Sequence, residues 1–254
     1  LWGRSINASG ELGIGSRNAS SIHPAAVENM TEGFVFIMDE VKKCVVSGIF
    51  GTYIDDMGIE GRMTLILMEN GDVYHCGADP ATFEFNLTPK KIASGMIDMA
   101  ISGSEAWLIG EDRSLYIWGD YIRNLSSPPP QKIFDGVQKV CGNSGDGLLL
   151  DLEGNVYVIG HHVIIEALGL DRRNGVSTAD ISAELGIPEG ELNRIQIELP
   201  GQAKDIAICG GATLSYFVVL ENGDLYVWGD NQYGQLGLGD AGSDETVFEV
   251  KLPA

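Results

Sequence analysis

Residues 220–239 read LENGDLYVWGDNQYGQLGLG, and shorter versions of this stretch occur three more times in the chain. In each version an apolar run leads into a two-residue turn, a second apolar run with a tyrosine follows, and a glycine closes the unit. The tyrosines and closing glycines are Tyr74 and Gly77, Tyr116 and Gly119, Tyr157 and Gly160, and Tyr226 and Gly229. Strand, tight turn and strand is the pattern of a β-hairpin, so the sequence predicts an array of hairpins.

A further apolar strand precedes this hairpin in each repeat; a second glycine closes that strand, and the residue before the glycine is small. These small residues are Ser47, Ser102, Cys141 and Cys209. A small side chain at a recurring position is typical of strands that converge, as the innermost strands of a propeller do around its channel. One hairpin cannot bury its own apolar face, so the repeats must stack on one another.

The last repeat resembles the repeat of the regulator of chromosome condensation family almost letter for letter. Trp118 and Trp228 precede the closing glycine as in that family, whereas Cys76 and Ile159 replace the tryptophan in the other two repeats. The resemblance implies an all-β fold, a β-propeller of four-stranded antiparallel blades. The middle repeats lack the Gly-Gln-Leu-Gly segment, which is typical of a bacterial or otherwise diverged member.

The spacing of the closing glycines predicts four complete blades plus partial strands at the two ends. Glycines at positions 3, 77, 119, 160 and 229 are the markers. We expect residues 1–254 to form a single propeller domain or a fragment of a larger propeller. The end strands could pair to make a partial closing blade, or they could be the cut faces of a larger ring that associate with other chains.

Three insertions interrupt the repeats, near residues 4–31, 49–62 and 170–194. Pro24 in the first insertion and a capping box at Ser177 in the third predict short helices there. Insertions in repeat folds form loops on one face, and exposed aromatic and arginine side chains on loops are typical of binding sites. The sequence therefore predicts partner-binding residues within the second and third insertions, namely Phe50, Tyr53, Arg172 and Arg173.

Composition excludes several classes of function. The net charge of −20 and the pI near 4.4 disfavour nucleic acid, whose phosphates attract lysine and arginine surfaces. No run of about 18 apolar residues is present, so we expect no membrane insertion. The cysteines and histidines lack the spacing of metal ligands, and no phosphate-binding loop occurs, so we predict neither a metal nor a cofactor.

No catalytic motif, such as the Gly-x-Ser-x-Gly nucleophile elbow, occurs in the sequence. We therefore predict a protein that is not an enzyme, a non-catalytic interaction module that presents loops on a rigid propeller to another protein. The family resemblance implies an alternative, a guanine-nucleotide exchange regulator of a small GTPase. A second alternative is a hydrolase whose site is assembled across blades. The irregular insertions favour a secreted or cell-surface protein, although the sequence does not fix the compartment.

Overall fold

The computed structural model describes ten parts of the chain: residues 2–3, 35–46, 62–79, 85–103, 105–119, 130–143, 146–160, 194–210, 213–241 and 244–250. Within these ranges the regular structure consists of strands, with no helix. The short helices predicted in 4–31 and 170–194 lie outside the described residues. No helix in the described ranges has the length and apolar character to cross a membrane.

Eighteen strands make up the described structure. A short antiparallel pair comes first, β1 (Trp2–Gly3) with β2 (Val35–Phe36). Sheet 1 contains β3 (Val41–Val46), β4 (Met63–Met68), β5 (Val73–Ala78) and β6 (Phe85–Ala93). Sheet 2 contains β7 (Met96–Ser102), β8 (Glu105–Gly110), β9 (Leu115–Trp118) and β10 (Gln131–Phe134).

The second half of the chain repeats this arrangement. Sheet 3 contains β11 (Val137–Asn143), β12 (Asp146–Asp151), β13 (Val156–Gly160) and β14 (Arg194–Ile197). Sheet 4 contains β15 (Ala203–Gly210), β16 (Leu214–Leu220), β17 (Leu225–Gly229) and β18 (Asp244–Val250). All four sheets are antiparallel with strands in chain order, which confirms the predicted blades. The last strand completes sheet 4, and the first strand pairs with β2.

The repeat tyrosines occupy one place on the third strand of every sheet, as predicted. Each lies opposite an apolar residue of the second strand, in the pairs Tyr74 with Ile66, Tyr116 with Leu108, Tyr157 with Leu149, and Tyr226 with Val218. Three of the closing glycines, Gly77, Gly119 and Gly229, have a positive φ, a conformation that favours glycine. The repeat positions inferred from sequence are therefore structural.

The prediction of a small residue at the end of each first strand is wrong for sheet 3. By register, the residue equivalent to Ser102 and Cys209 is Asn143, and Cys141 lies two positions earlier. The reason is that β11 continues as a paired strand through Gly142, so this glycine does not mark the end of the strand. Ser47 lies outside the described residues.

The contacts divide the chain into two compact units, residues 1–134 and 135–254. In the first unit, sheets 1 and 2 face each other across an apolar core that includes Leu65, Leu67, Met99, Leu108 and Trp118. In the second unit, sheets 3 and 4 pack in the same way around a core that includes Leu148, Leu150, Ile206, Val218 and Trp228. Burial of each large apolar side chain contributes roughly 1.5–3 kcal/mol, so face-to-face stacking holds each pair of sheets together.

Equivalent polar contacts also join the two sheets of each unit. The N–H of Met96, at the start of sheet 2, donates to the carbonyl of Gly71 in the β4–β5 turn at 2.9 Å. In the second unit the N–H of Ala203 donates to the carbonyl of Gly154 in the β12–β13 turn at 2.8 Å. Each turn therefore satisfies the first amide of the sheet that follows it.

Candidate functional site

The binding residues predicted from sequence, Phe50, Tyr53, Arg172 and Arg173, lie outside the described residues, so their role stays a prediction. The strand ends beside the third insertion are described, because β13 ends at Gly160 and β14 begins at Arg194. They lie at the edge of sheet 3 where Asn143 ends β11. The side-chain amide of Asn143 donates to the carbonyl of Gly210, at the end of β15, at 2.8 Å. The same edge of sheet 4 carries the connection from β17 to β18.

That connection, residues 230–240, forms a tightly hydrogen-bonded loop that we call the edge loop. Its backbone is anchored to sheet 4 because the N–H of Asp230 donates to the carbonyl of Leu214 at 2.8 Å. Two further turns follow, in which Gly234 N–H donates to Asn231 O at 2.9 Å and Gly237 N–H donates to Gly234 O at 3.1 Å. Both glycines have positive φ, so the sequence selects this loop conformation.

Buried side chains hold the inside of the edge loop. The side-chain oxygen of Asn231 accepts the N–H of Leu236 at 2.9 Å, and its amide donates to the carbonyl of Asp240 at 3.1 Å. Asn231 and Leu236 are both 2% exposed. An amide that bridges two parts of a loop from a buried position substitutes for backbone pairing, and the packed leucine excludes water from it.

The Asp230 carboxylate organises the outside of the edge loop. It accepts hydrogen bonds from the N–H of Gln232 at 3.2 Å, from the hydroxyl of Thr213 at 2.9 Å and from the side-chain amide of Gln235 at 3.1 Å. The side-chain oxygen Oε1 of Gln235 in turn accepts the N–H of Tyr233 at 2.9 Å. The backbone at this tyrosine is therefore fixed from both sides.

The Tyr233 side chain points away from this scaffold. It is 91% exposed, and the other large apolar side chains that are exposed in the described part of the chain range from 37% to 55%. Sequence reasoning did not select Tyr233, because the residue falls within the family repeat and was assigned to the architecture. The available signal was an aromatic residue between the turn residues of a glycine-rich loop, where it has no strand neighbour to pack against.

A second polar cluster lies buried in sheet 1. His75 donates through Nε2 to the carbonyl of Ala78 at 2.8 Å, and its Nδ1 accepts from the Asn86 amide at 3.2 Å. That amide also donates to the carboxylate of Asp79 at 2.7 Å. Burial lowers the pKa of His75 to about 4, so the ring is neutral near pH 7. The ring packs against Trp118 in sheet 2 in a T-shaped arrangement, with the ring centroids 4.9 Å apart.

This histidine cluster has the properties of a structural element. The polar atoms of His75, Asn86 and Asp79 named above each have a hydrogen-bond partner. The His75 ring fills space between sheets 1 and 2. The described ranges contain no group of three or more His, Cys, Asp or Glu side chains arranged to hold a metal ion. The edge loop with Tyr233 is therefore the best candidate for a functional site among the described residues.

Comparisons with known proteins agree with the repeat architecture. Sequence models of the regulator of chromosome condensation (RCC1) repeat match residues 222–253 and 206–235. The RCC1-like G exchanging factor-like protein of Mus musculus is 27% identical over 215 residues, which cover 75% of this chain. The chain spans 44% of the length of that mouse relative.

Two solved structures show the same fold at low sequence identity. The crystal structure of human WBSCR16 aligns with 97% of this chain and 61% of its own, with a TM-score of 0.63 and 20% identity. Prp20p from Saccharomyces cerevisiae aligns with 75% of this chain and 48% of its own, with a TM-score of 0.53 and 18% identity. Their likeness supports the assignment of the four sheets as propeller blades.

Proposed function

We propose that the chain, which resembles the β-propeller proteins built from regulator of chromosome condensation repeats, is a non-catalytic protein-interaction module. The sheets act as a rigid support, and loops at the ends of their strands contact the partner. Fold alone does not define a function, so the proposal depends on the loops.

The observation that carries this proposal is the exposure of Tyr233 on an ordered loop. A tyrosine ring that is 91% exposed offers a large contact area, and tyrosine is enriched among the residues that dominate protein interfaces. Binding to a loop that is already ordered loses little conformational entropy. The yeast relative supports a protein partner, since Prp20p is described by its binding properties to Gsp1p and histones.

Affinity capture followed by calorimetry tests the proposal. The intact chain serves as bait, captured proteins are purified, and their affinity is measured with the parent chain, a Tyr53, Arg172 and Arg173 triple alanine variant, and Tyr233→Ala. We expect at least one variant to bind a captured partner with an affinity reduced tenfold or more, while its melting temperature stays that of the parent chain. If no purified protein binds the intact chain, the proposal is wrong.

Regulation of a small GTPase by nucleotide exchange is the second candidate. The observation that favours it is the description of the mouse relative as an RCC1-like G exchanging factor-like protein. The test measures release of a fluorescent GDP analogue from a panel of purified small GTPases with and without the chain. Catalysed release from one member would support exchange, and unchanged rates throughout the panel would leave the module without this activity. No contact among the described residues favours the hydrolase alternative.

A further inference from the structure

We propose that Tyr233 receives an arginine side chain of the partner, whose guanidinium stacks on the tyrosine ring and pairs with the acidic groups around it. This inference rests on the proposed interaction function and specifies the chemistry of the partner at one site. It follows from the order of the edge loop, the exposure of the ring and the charge of the surrounding sequence.

The first step concerns why the loop is ordered at all. At least seven hydrogen bonds hold residues 230–240, and two of their side chains are almost fully buried. This scaffold leaves one large apolar side chain, Tyr233, extended into water. Exposed aromatic groups on rigid loops are characteristic of binding sites, because the ring adds contact area without ordering a flexible segment.

The second step concerns charge. From residue 205 to residue 250 the sequence contains no lysine, arginine or histidine. Of the acidic residues in this stretch, Asp230 and Asp240 lie in the edge loop itself, where their carboxylates accept hydrogen bonds from Gln232 and Asn231. Carboxylates in a stretch without lysine or arginine attract ligands of the opposite sign and repel phosphates and carboxylates. The partner segment should therefore be basic.

The third step concerns the position of two of these acids. Asp230 accepts the N–H of Gln232, the residue before Tyr233, at 3.2 Å. The Asp240 carboxylate accepts the side-chain amide of Asn231, two residues before Tyr233, at 3.4 Å. Both carboxylates therefore lie within the edge loop that carries Tyr233.

An arginine fits this arrangement better than a lysine does. The guanidinium group is planar and can stack on an aromatic face, while its N–H groups donate in the plane to neighbouring carboxylates. The lysine ammonium is a compact, strongly hydrated charge that cannot do both at once. The site should therefore discriminate between two peptides of equal charge.

Titration calorimetry and ¹⁵N NMR with the intact chain test this inference. The probes are blocked octapeptides that alternate glycine with arginine, with lysine or with glutamate. We expect the arginine peptide to bind several times more tightly than the lysine peptide, with amide shifts centred on residues 232–235, and the glutamate peptide not to bind. Tyr233→Ala should reduce the affinity for the arginine peptide about fivefold to tenfold. Tyr233→Phe, which keeps the ring, should reduce it by less than about threefold.

Two results would overturn the inference. Equal affinity for the arginine and lysine peptides, unchanged in Tyr233→Ala, would show that diffuse acidity alone attracts them. Absence of binding by the arginine peptide at millimolar concentration would also exclude the site. Because the ring is exposed, Tyr233→Ala should keep the parent melting temperature, which separates lost binding from unfolding.

The natural partner separates this inference from the proposed function. A captured protein that binds the parent chain and Tyr233→Ala equally well would support an interaction module and refute the role of Tyr233. Failure to find any partner would refute the module, and the peptide titrations would still decide whether the edge loop binds arginine.

Discussion

Lys139 of β11 donates to the carboxylate of Asp205 of β15, across the boundary between sheets 3 and 4. Lys43 and Asp98 form the equivalent pair between sheets 1 and 2 at 2.7 Å. All four residues follow a register shift at the start of a first strand. The hydrogen bond from Lys139 holds the pKa of Asp205 below its ordinary value. Alternating lysine and aspartate at one repeat position therefore joins neighbouring blades within each unit.

The Lys43–Asp98 pair should show measurable but modest coupling. Both side chains are partly exposed, so Lys43→Met or Asp98→Asn should each lower the free energy of unfolding by about 0.5–1 kcal/mol. The double variant should lower the free energy of unfolding by less than the sum of the two single variants, because the first substitution has already removed the ion pair. Urea unfolding of the four proteins measures this, and strict additivity would mean that the ion pair contributes nothing.

Truncation of Trp228 should be strongly destabilising. Its ring is 7% exposed and stacks on Tyr216 at a centroid distance of 5.0 Å with an interplanar angle of 6°. Trp228→Ala should lower the free energy of unfolding by about 3–5 kcal/mol, because it leaves a cavity between sheets 3 and 4. Tyr233→Ala is the matched aromatic control and should be nearly neutral by thermal unfolding. Similar losses in both variants would contradict the burial assigned to these rings.

Gly229 and Gly237 distinguish a steric requirement from a conformational one. Both have positive φ, of 98° and 72°. A Cβ atom at Gly229 would lie 2.3 Å from the carbonyl oxygen of Leu214, whereas one at Gly237 would have no neighbour within 4 Å. Gly229→Ala should therefore lower the free energy of unfolding by about 3 kcal/mol or more, and Gly237→Ala should lower it by about 1 kcal/mol. Chemical denaturation gives both values, and equal costs would rule out the close approach.

Arg113 should be replaceable by glycine with a gain in stability. It has a φ of 59° in the β8–β9 turn, where the other three sheets have glycine. A left-handed conformation costs a non-glycine residue about 1–2 kcal/mol, partly offset by the greater freedom of glycine in the unfolded chain. We expect Arg113→Gly to stabilise by about 0.5–1 kcal/mol and Gly223→Ala, at the equivalent turn of sheet 4, to destabilise. A lower melting temperature for Arg113→Gly would show that its side chain contributes more than the strain costs.

His75 should make stability depend on pH between about 6.5 and 4. Burial lowers its pKa from 6.5 to about 4, and the charges nearby are those of Asp79 and Lys90. As the pH falls through this window, the unfolded chain gains a proton that the folded chain does not, so stability decreases; below about 4 both states are protonated and the loss stops. NMR titration of the ring should give a midpoint near 4.

A variant isolates this contribution from the many carboxylates that titrate in the same range. His75→Gln cannot titrate, so its urea midpoint should fall less than that of the parent chain between pH 7 and pH 4.5. A ring that titrates near 6.5, or identical pH profiles for the two proteins, would contradict a buried neutral histidine.

The blades could be predicted from the sequence because each repeat contains its own local signals. The turn before Tyr226 and the glycine after Trp228 fix strand, turn and strand without any long-range information. The position of Cys141 could not be predicted, because strand ends depend on pairing and Gly142 remains within β11. The sequence does not single out Tyr233 for a related reason. A tyrosine at this position fits the repeat pattern, whereas its exposure depends on how the Asn231 and Asp230 side chains fold the loop.

The backbone hydrogen bonds from Met96 N–H to Gly71 O and from Ala203 N–H to Gly154 O share one order along the chain. In both, the acceptor precedes the donor in sequence, so it leaves the ribosome first. Within each unit, the turn that accepts the hydrogen bond is therefore synthesised before the sheet that donates to it, so the first sheet can present a completed acceptor to the second during translation.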